Sequence, residues 1–203
     1  MSSRFYPYAT DSKERDVLAY CFAAIAIVLV WAISSLIGAL GIHVPWWTAV
    51  PTPMAFYLIL RGFFARYAWR WRIFHRLGIV KIIDLNGTYN GHVWTSHVGS
   101  SRHTCTVIIS QTWTGISIRG MFPKSSSFNG VTGISVEDTV APRLTYEYWN
   151  TPNSDAVDSM QAHRGTIWFD IVRDDDAASE LKGDYYTGRG RETIGRIEVR
   201  REG

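Results

Sequence analysis

The sequence is short of the groups that catalysis and covalent stapling need. Its 203 residues include two cysteines, Cys21 in an apolar run and Cys105 far away in a predicted strand. Two such thiols make no disulfide framework and offer no metal-ligand spacing, so a reducing setting is expected. There is no G-x-S-x-G, H-E-x-x-H, Walker loop or dinucleotide fingerprint. His92, His97, His103 and His163 show no i, i+4 pairing of the kind that holds a metal on a helix. The Asp174-Asp175-Asp176 run lacks the alternating oxygen ligands and closing Glu of a calcium loop and reads as an acidic turn. No enzyme, metal site or cofactor is therefore expected. The most informative absence is charge: residues 17–60 contain no Asp, Glu, Lys or Arg, although the chain has 39 of them. That run excludes a wholly soluble chain.

A membrane helix needs about 20 apolar residues, so 44 uncharged positions have the length of two crossings. Residues 17–40 read as the first, and Gly41-Ile42-His43-Val44-Pro45-Trp46-Trp47 as a turn with interfacial Trp. Residues 44–60 read as the second, with Pro51 and Pro53 in its opening turns and Arg61 snorkelling to the interface. Residues 61–81 carry six basic side chains and no acid. By the positive-inside rule this cluster keeps both termini in the cytoplasm. Residues 66–81, with Tyr67, Trp69, Trp71, Phe74 and Leu77 among the basic residues, read as a segment lying on anionic headgroups. The organisation expected is a cytoplasmic segment 1–16, a two-helix hairpin 17–66, a basic interfacial linker 67–81 and a cytoplasmic domain 82–203.

Beyond Lys81 the pattern changes to short runs of Thr, Val, Ile, Tyr and Trp punctuated by Gly, Asn, Asp and Ser. Eight strands are predicted, at 86–98, 102–111, 113–122, 125–137, 142–150, 163–172, 180–188 and 193–201. Turns fall at 99–101, 123–124, 138–141, 174–176 and 188–191, with one longer connection at 151–161. Eight strands with short turns in about 120 residues predict an all-β, up-and-down barrel of the lipocalin or streptavidin kind, with a β-sandwich as the alternative. This domain holds 12 basic and 15 acidic residues, a balance unlike that of a DNA or RNA binder.

Alternation along 142–150 puts Leu144, Tyr146, Tyr148 and Asn150 on one face, an aromatic wall with polar tips that suits either a ligand or ordinary core packing. Gly188-Arg189-Gly190-Arg191 can present backbone N–H groups and two guanidinium forks to a phosphate. Ser125-Ser126-Ser127 can offer hydroxyls to a pocket or begin an edge strand.

The barrel segment opens Leu85-Asn86-Gly87-Thr88-Tyr89-Asn90-Gly91 and closes Gly195-Arg196-Ile197-Glu198-Val199-Arg200. Between them stand Gln111-Thr112-Trp113, Ser125-x-Ser127, Leu144-x-Tyr146-x-Tyr148-x-Asn150, His163-Arg164-Gly165 and Leu181-Lys182-Gly183-Asp184-Tyr185-Tyr186-Thr187-Gly188-Arg189. In this order, behind two apolar helices and a basic stretch, these motifs make the whole chain resemble the two-transmembrane β-barrel effectors of CBASS antiphage systems. The resemblance implies a bacterial inner-membrane protein whose barrel binds a cyclic dinucleotide made by a partner CD-NTase after phage infection. It further implies homo-oligomerisation among membrane lipids, membrane disruption and death of the infected cell. Carried onto this sequence, the ligand contacts it implies are Tyr89, Gln111, Trp113, Ser125, Ser127, Tyr146, Tyr148, Asn150, His163, Tyr186, Thr187, Arg189 and Arg191. The competing expectation is a membrane-tethered barrel that binds an apolar molecule or docks a protein partner.

Overall fold

The computed structural model describes residues 5–41, 52–96, 101–137, 141–157, 160–174, 177–188 and 193–203. The expected turn at 42–47, Pro51, His97, Gly99, Ser100, residues 138–140, Asp175, Asp176, Arg189, Gly190 and Arg191 lie outside the described residues. The chain forms two compact units, one of Met1–Ser12 with Lys81–Gly203 and one of Lys13–Val80.

In the helical unit α1 spans Glu14–Ala39. It begins three residues ahead of the apolar run, because Glu14 and Asp16 suit the positive end of a helix dipole. It stops at Gly41, whose φ of 63° is the left-handed conformation that closes a helix end. Its 26 residues extend about 39 Å, and among the described residues it is the one helix long and apolar enough to cross a membrane. The second helix differs from expectation. Thr52 caps it, its hydroxyl accepting from the Ala55 N–H at 3.3 Å, and Pro53 fills the first turn, so α2 spans Pro53–Arg66. Arg61 thus lies within α2 rather than at its end, and 14 residues reach only about 21 Å. Phe22 rests on Phe64 with ring centroids 5.1 Å apart, so the first half of α1 packs against the last turn of α2. The basic linker is broken helix: a 3-10 turn at Ala68–Arg70, then α3 at Arg72–Arg76. Trp71 stacks on Phe74 at 6.0 Å, and Phe74 meets Phe64 edge-on at 5.4 Å.

The second unit is a closed barrel, antiparallel through its meander. Its meander runs β2 (Gly87–Thr95), β3 (Arg102–Gln111), β4 (Gly115–Phe122), β5 (Ser125–Ser135), β6 (Arg143–Pro152), β7 (His163–Asp174), β8 (Ala177–Thr187) and β9 (Ile194–Arg201). β9 returns to β2 from Tyr89↔Arg201 to Thr95↔Gly195 and so closes the sheet. These are the eight segments expected, with ends shifted by up to three residues.

The barrel nevertheless has nine strands, not eight. The extra one, β1 (Tyr6–Thr10), comes from the polar segment ahead of α1. β4 and β5 pair only near their turn, from Phe122↔Ser125 to Arg119↔Phe128, and then diverge. β1 fills the fork, antiparallel to β4 at Tyr6↔Ile116 and parallel to β5 at Tyr8↔Thr132. Asn129 stands at the branch, its Oδ1 accepting from the Ile118 N–H at 2.8 Å and its Nδ2 donating to Thr132 Oγ1 at 3.0 Å. The parallel contact joins residues more than 120 positions apart and leaves no local sequence signal.

Candidate functional site

The two ends of the barrel are filled differently. At the end holding the start of β2 and the end of β3, the residues before β2 fold inward, and Ile82, Ile83 and Leu85 are buried with Ile116, Ile134, Leu144, Phe169 and Leu181. A hydrogen-bond network fixes this plug. Gln111 Oε1 accepts from the Leu85 N–H at 2.8 Å, Gln111 Nε2 donates to the Tyr8 hydroxyl at 3.3 Å, and that hydroxyl donates to the Trp113 carbonyl at 3.0 Å. The Tyr89 hydroxyl donates to the Leu85 carbonyl at 3.0 Å. Burial holds the phenols of Tyr89 and Tyr146 above their ordinary pKa and pushes the Cys105 thiol up to about 12.

The other end is open. A cavity of about 360 Å3 lies between the ends of β2, β4, β6 and β8 and the starts of β3, β5, β7 and β9. Val93, Ile167 and Ile197 supply apolar lining, while Ser125, Ser127, Tyr148, Asn150, Thr187 and Thr193 supply buried polar groups. The remaining lining includes Thr95, Ser101, His103, Met160, His163 and Tyr185, and the turn Phe122-Pro123-Lys124 forms part of its edge. No Asp or Glu is among the described lining residues, whereas Lys124 and two imidazoles are. Among the described lining residues, an anion entering here meets the Lys124 ammonium and hydroxyl groups and no like charge.

Backbone geometry makes the room. Tyr148 pairs with Gly165 across β6 and β7, and a Cβ at Gly165 would collide with the Tyr148 phenol and the Tyr186 carbonyl. Gly120, paired with Ser127, likewise leaves space for the Ser127 hydroxyl, which lies 2.5 Å from where its Cβ would be. The Tyr148 ring meets His163 edge-on at 6.2 Å, and His163 Nδ1 lies 3.0 Å from the Gln161 carbonyl. The Thr187 and Thr193 hydroxyls are 3.0 Å apart, which ties the end of β8 to the start of β9. Asn150 Nδ2 faces Met160 Sδ at 3.8 Å, a soft partner that a better acceptor can replace.

Of the residues expected to contact ligand, Ser125, Ser127, Tyr148, Asn150, His163 and Thr187 come together on this cavity. Tyr89, Gln111 and Trp113 belong to the plug at the opposite end, and Tyr146 is buried with its ring 6.3 Å from Phe169. Tyr186 is 45% exposed on the outer face beside Trp168, because strand alternation that turns Thr187 inward turns its neighbour out. Arg189 and Arg191 lie outside the described residues. Sequence reasoning missed Tyr185, Thr193, His103 and Lys124. Tyr185 was within reach, since it shares the parity of Thr187, whereas Thr193 and Lys124 are set by turns. Among the described residues no group of His, Cys, Asp and Glu could hold a metal ion.

No curated protein matches the chain. A family model does, that of the Cap15 cyclic dinucleotide receptor domain, over residues 80–201. This match takes in more than half of the sequence and β2 to β9 entire, a receptor domain rather than a catalytic one. On that match, which spans the meander of the closed barrel and its open end, the chain belongs to the Cap15 cyclic dinucleotide receptor domain family.

Proposed function

We propose that this protein is a CBASS effector whose open-ended cavity binds a cyclic dinucleotide produced by a partner CD-NTase. The observation that carries the reading is the described lining: Lys124, hydroxyls and imidazoles without a carboxylate, at one end of a barrel of this family. A cyclic dinucleotide brings two phosphates and two bases. Ser125 and Ser127 offer hydroxyl donors to the phosphates and Lys124 offers charge, while the Thr187 hydroxyl is tied to Thr193 and shapes the wall. Arg189 and Arg191 are assigned to the same phosphates by chain position, between Thr187 and Thr193, which both line the cavity. Tyr148, Tyr185 and His163 offer faces to the bases, where stacking contributes roughly 1–3 kcal/mol per base. At about 360 Å3 the cavity is near the small end of ligand sites, and its open mouth leaves part of the ligand outside the walls.

For the output, residues 17–66 are proposed to cross the bacterial inner membrane twice with N-terminus and barrel in the cytoplasm. The length and apolarity of α1 support one crossing, and the contact of α2 with α1 together with six basic residues in 61–81 supports the return. Ligand then favours a homo-oligomer that disrupts the membrane and kills the infected cell, which requires the assembled state to bind ligand better than the resting one. Co-expression with a cyclic dinucleotide synthase tests this. Growth arrest with the intact chain and survival with Ser127→Trp, which fills the cavity, is the expected result; arrest that is indifferent to the filled cavity contradicts it.

A further inference from the structure

β1 lies outside the stretch that matches the receptor-domain family, yet it completes the barrel. It is also the most lightly held strand. It touches β4 through Tyr6 and Pro7 and β5 through Tyr8, Ala9 and Thr10, while β7 and β8 pair continuously from Gly165↔Thr187 to Val172↔Glu180. Pro7 brings no N–H, and of the five side chains only that of Tyr8 is buried. Beyond the strand, the Asp11 carboxylate accepts from the N–H groups of Val136 at 2.8 Å and Glu137 at 3.0 Å and so pins the end of β1 to the end of β5. Strands with little buried surface open at far lower free energy than the rest of a fold.

The chain adds a constraint. β1 ends at Thr10 and α1 begins at Glu14, so residues 11–13 join them, a span of about 14 Å at full extension. A pull on the start of α1 is therefore passed to β1 through this short tether.

We infer that the fork between β4 and β5 is a strand-docking site for this chain's own N-terminal segment, which leaves and re-enters it as a latch between the barrel and α1. Tyr8 is the anchor, Asp11 the catch, and the fork is the seat. The seat adjoins the cavity along one strand: Thr132 and Asn129 at the branch continue on β5 to Ser127 and Ser125 in the cavity wall. The latch holds whatever fills the cavity, so its failure would leave the ligand reading standing.

Hydrogen exchange on the full chain in detergent micelles, without ligand, tests it. The backbone amides of residues 8–10 are expected to exchange at least about 100-fold faster than those of Ile167 and Phe169 in the β7–β8 pairing. Asp11→Asn should quicken them further. Ala9 pairs with Gly133 and a Cβ at Gly133 has open space around it, so a short bifunctional thiol reagent can bridge Ala9→Cys and Gly133→Cys in a Cys21→Ser background. Cross-linking should slow the β1 amides to the rate of the reference pair. Equal protection of β1 and β7–β8 in the uncross-linked protein, rates unmoved by Asp11→Asn, or rates unmoved by the cross-link would each overturn the latch.

Discussion

The plugged and open ends of the barrel share the eight meander strands, with β1 added at the plug, and differ in what the alternate residues carry. Along β6 the inward positions run Leu144, Tyr146, Tyr148, Asn150, from fully apolar at the plug to polar at the cavity. β3 reverses the sense: Gln111, though polar, is at the plug, where it holds Leu85 and Tyr8. The difference teaches that a polar residue facing inward marks a ligand only when its hydrogen bonds are not already committed to the fold. Gln111 and Tyr89 are committed to backbone groups, whereas the Asn150 amide meets a thioether.

That contrast predicts a division of effects. Phe169→Ala, a change in the packed interior, should lower stability by about 3–5 kcal/mol as judged by denaturant unfolding, because the cavity it leaves has no way to collapse inside a closed sheet. A comparable loss from Asn150→Ala would break the contrast. Next in size, Asn150→Ala or Lys124→Ala should weaken cyclic dinucleotide binding by about 10-fold or more, as expected for hydrogen bonds to a charged group, with the unfolding midpoint nearly unchanged. Gln111→Leu should do the reverse, costing about 1–3 kcal/mol of stability by stranding the Leu85 N–H and leaving affinity intact.

The eight meander strands were legible because each alternates and each is punctuated by turn residues; the span expected for β3 is the one observed. β1 was hidden by its partners, since its pairing with β5 is parallel and bridges more than 120 positions, and its flanking charges read as a tail. The site was half legible for a related reason. Alternation fixed the wall of β6, but Tyr186 and Thr187 are neighbours on one strand and cannot both face inward. Which residues reach the cavity from β2, β3 and β9 depends on where each strand crosses the barrel, a matter of register with distant partners.

Smaller effects sharpen the same comparison. Cys105, with its pKa pushed up to about 12 by burial, should resist alkylation at pH 8 in the native barrel and react on unfolding, which makes it a reporter of an intact interior. Glu180, on the outer surface of β8, has its carboxyl pKa lowered by hydrogen bonds from Lys182 and then Arg200. A depressed carboxyl pKa stabilises the fold above the unfolded-state value and stops doing so as pH falls through the folded one. Glu180→Gln should therefore cost no more than about 1 kcal/mol at pH 7, with the two proteins converging once the pH is below both values.

The central claim, that the open end is the cyclic dinucleotide site, is tested most directly by calorimetric titration of the full chain in detergent. It must be the full chain, because a version cut at Lys81 would lack β1. The panel comprises cyclic di-purine and purine-pyrimidine dinucleotides, with a linear dinucleotide and a fatty acid as controls. The account predicts saturable binding of one cyclic species, lost in Ser127→Trp and retained in Gln111→Leu. Binding that survives Ser127→Trp, or a folded protein that takes the fatty acid and no cyclic dinucleotide, would contradict it.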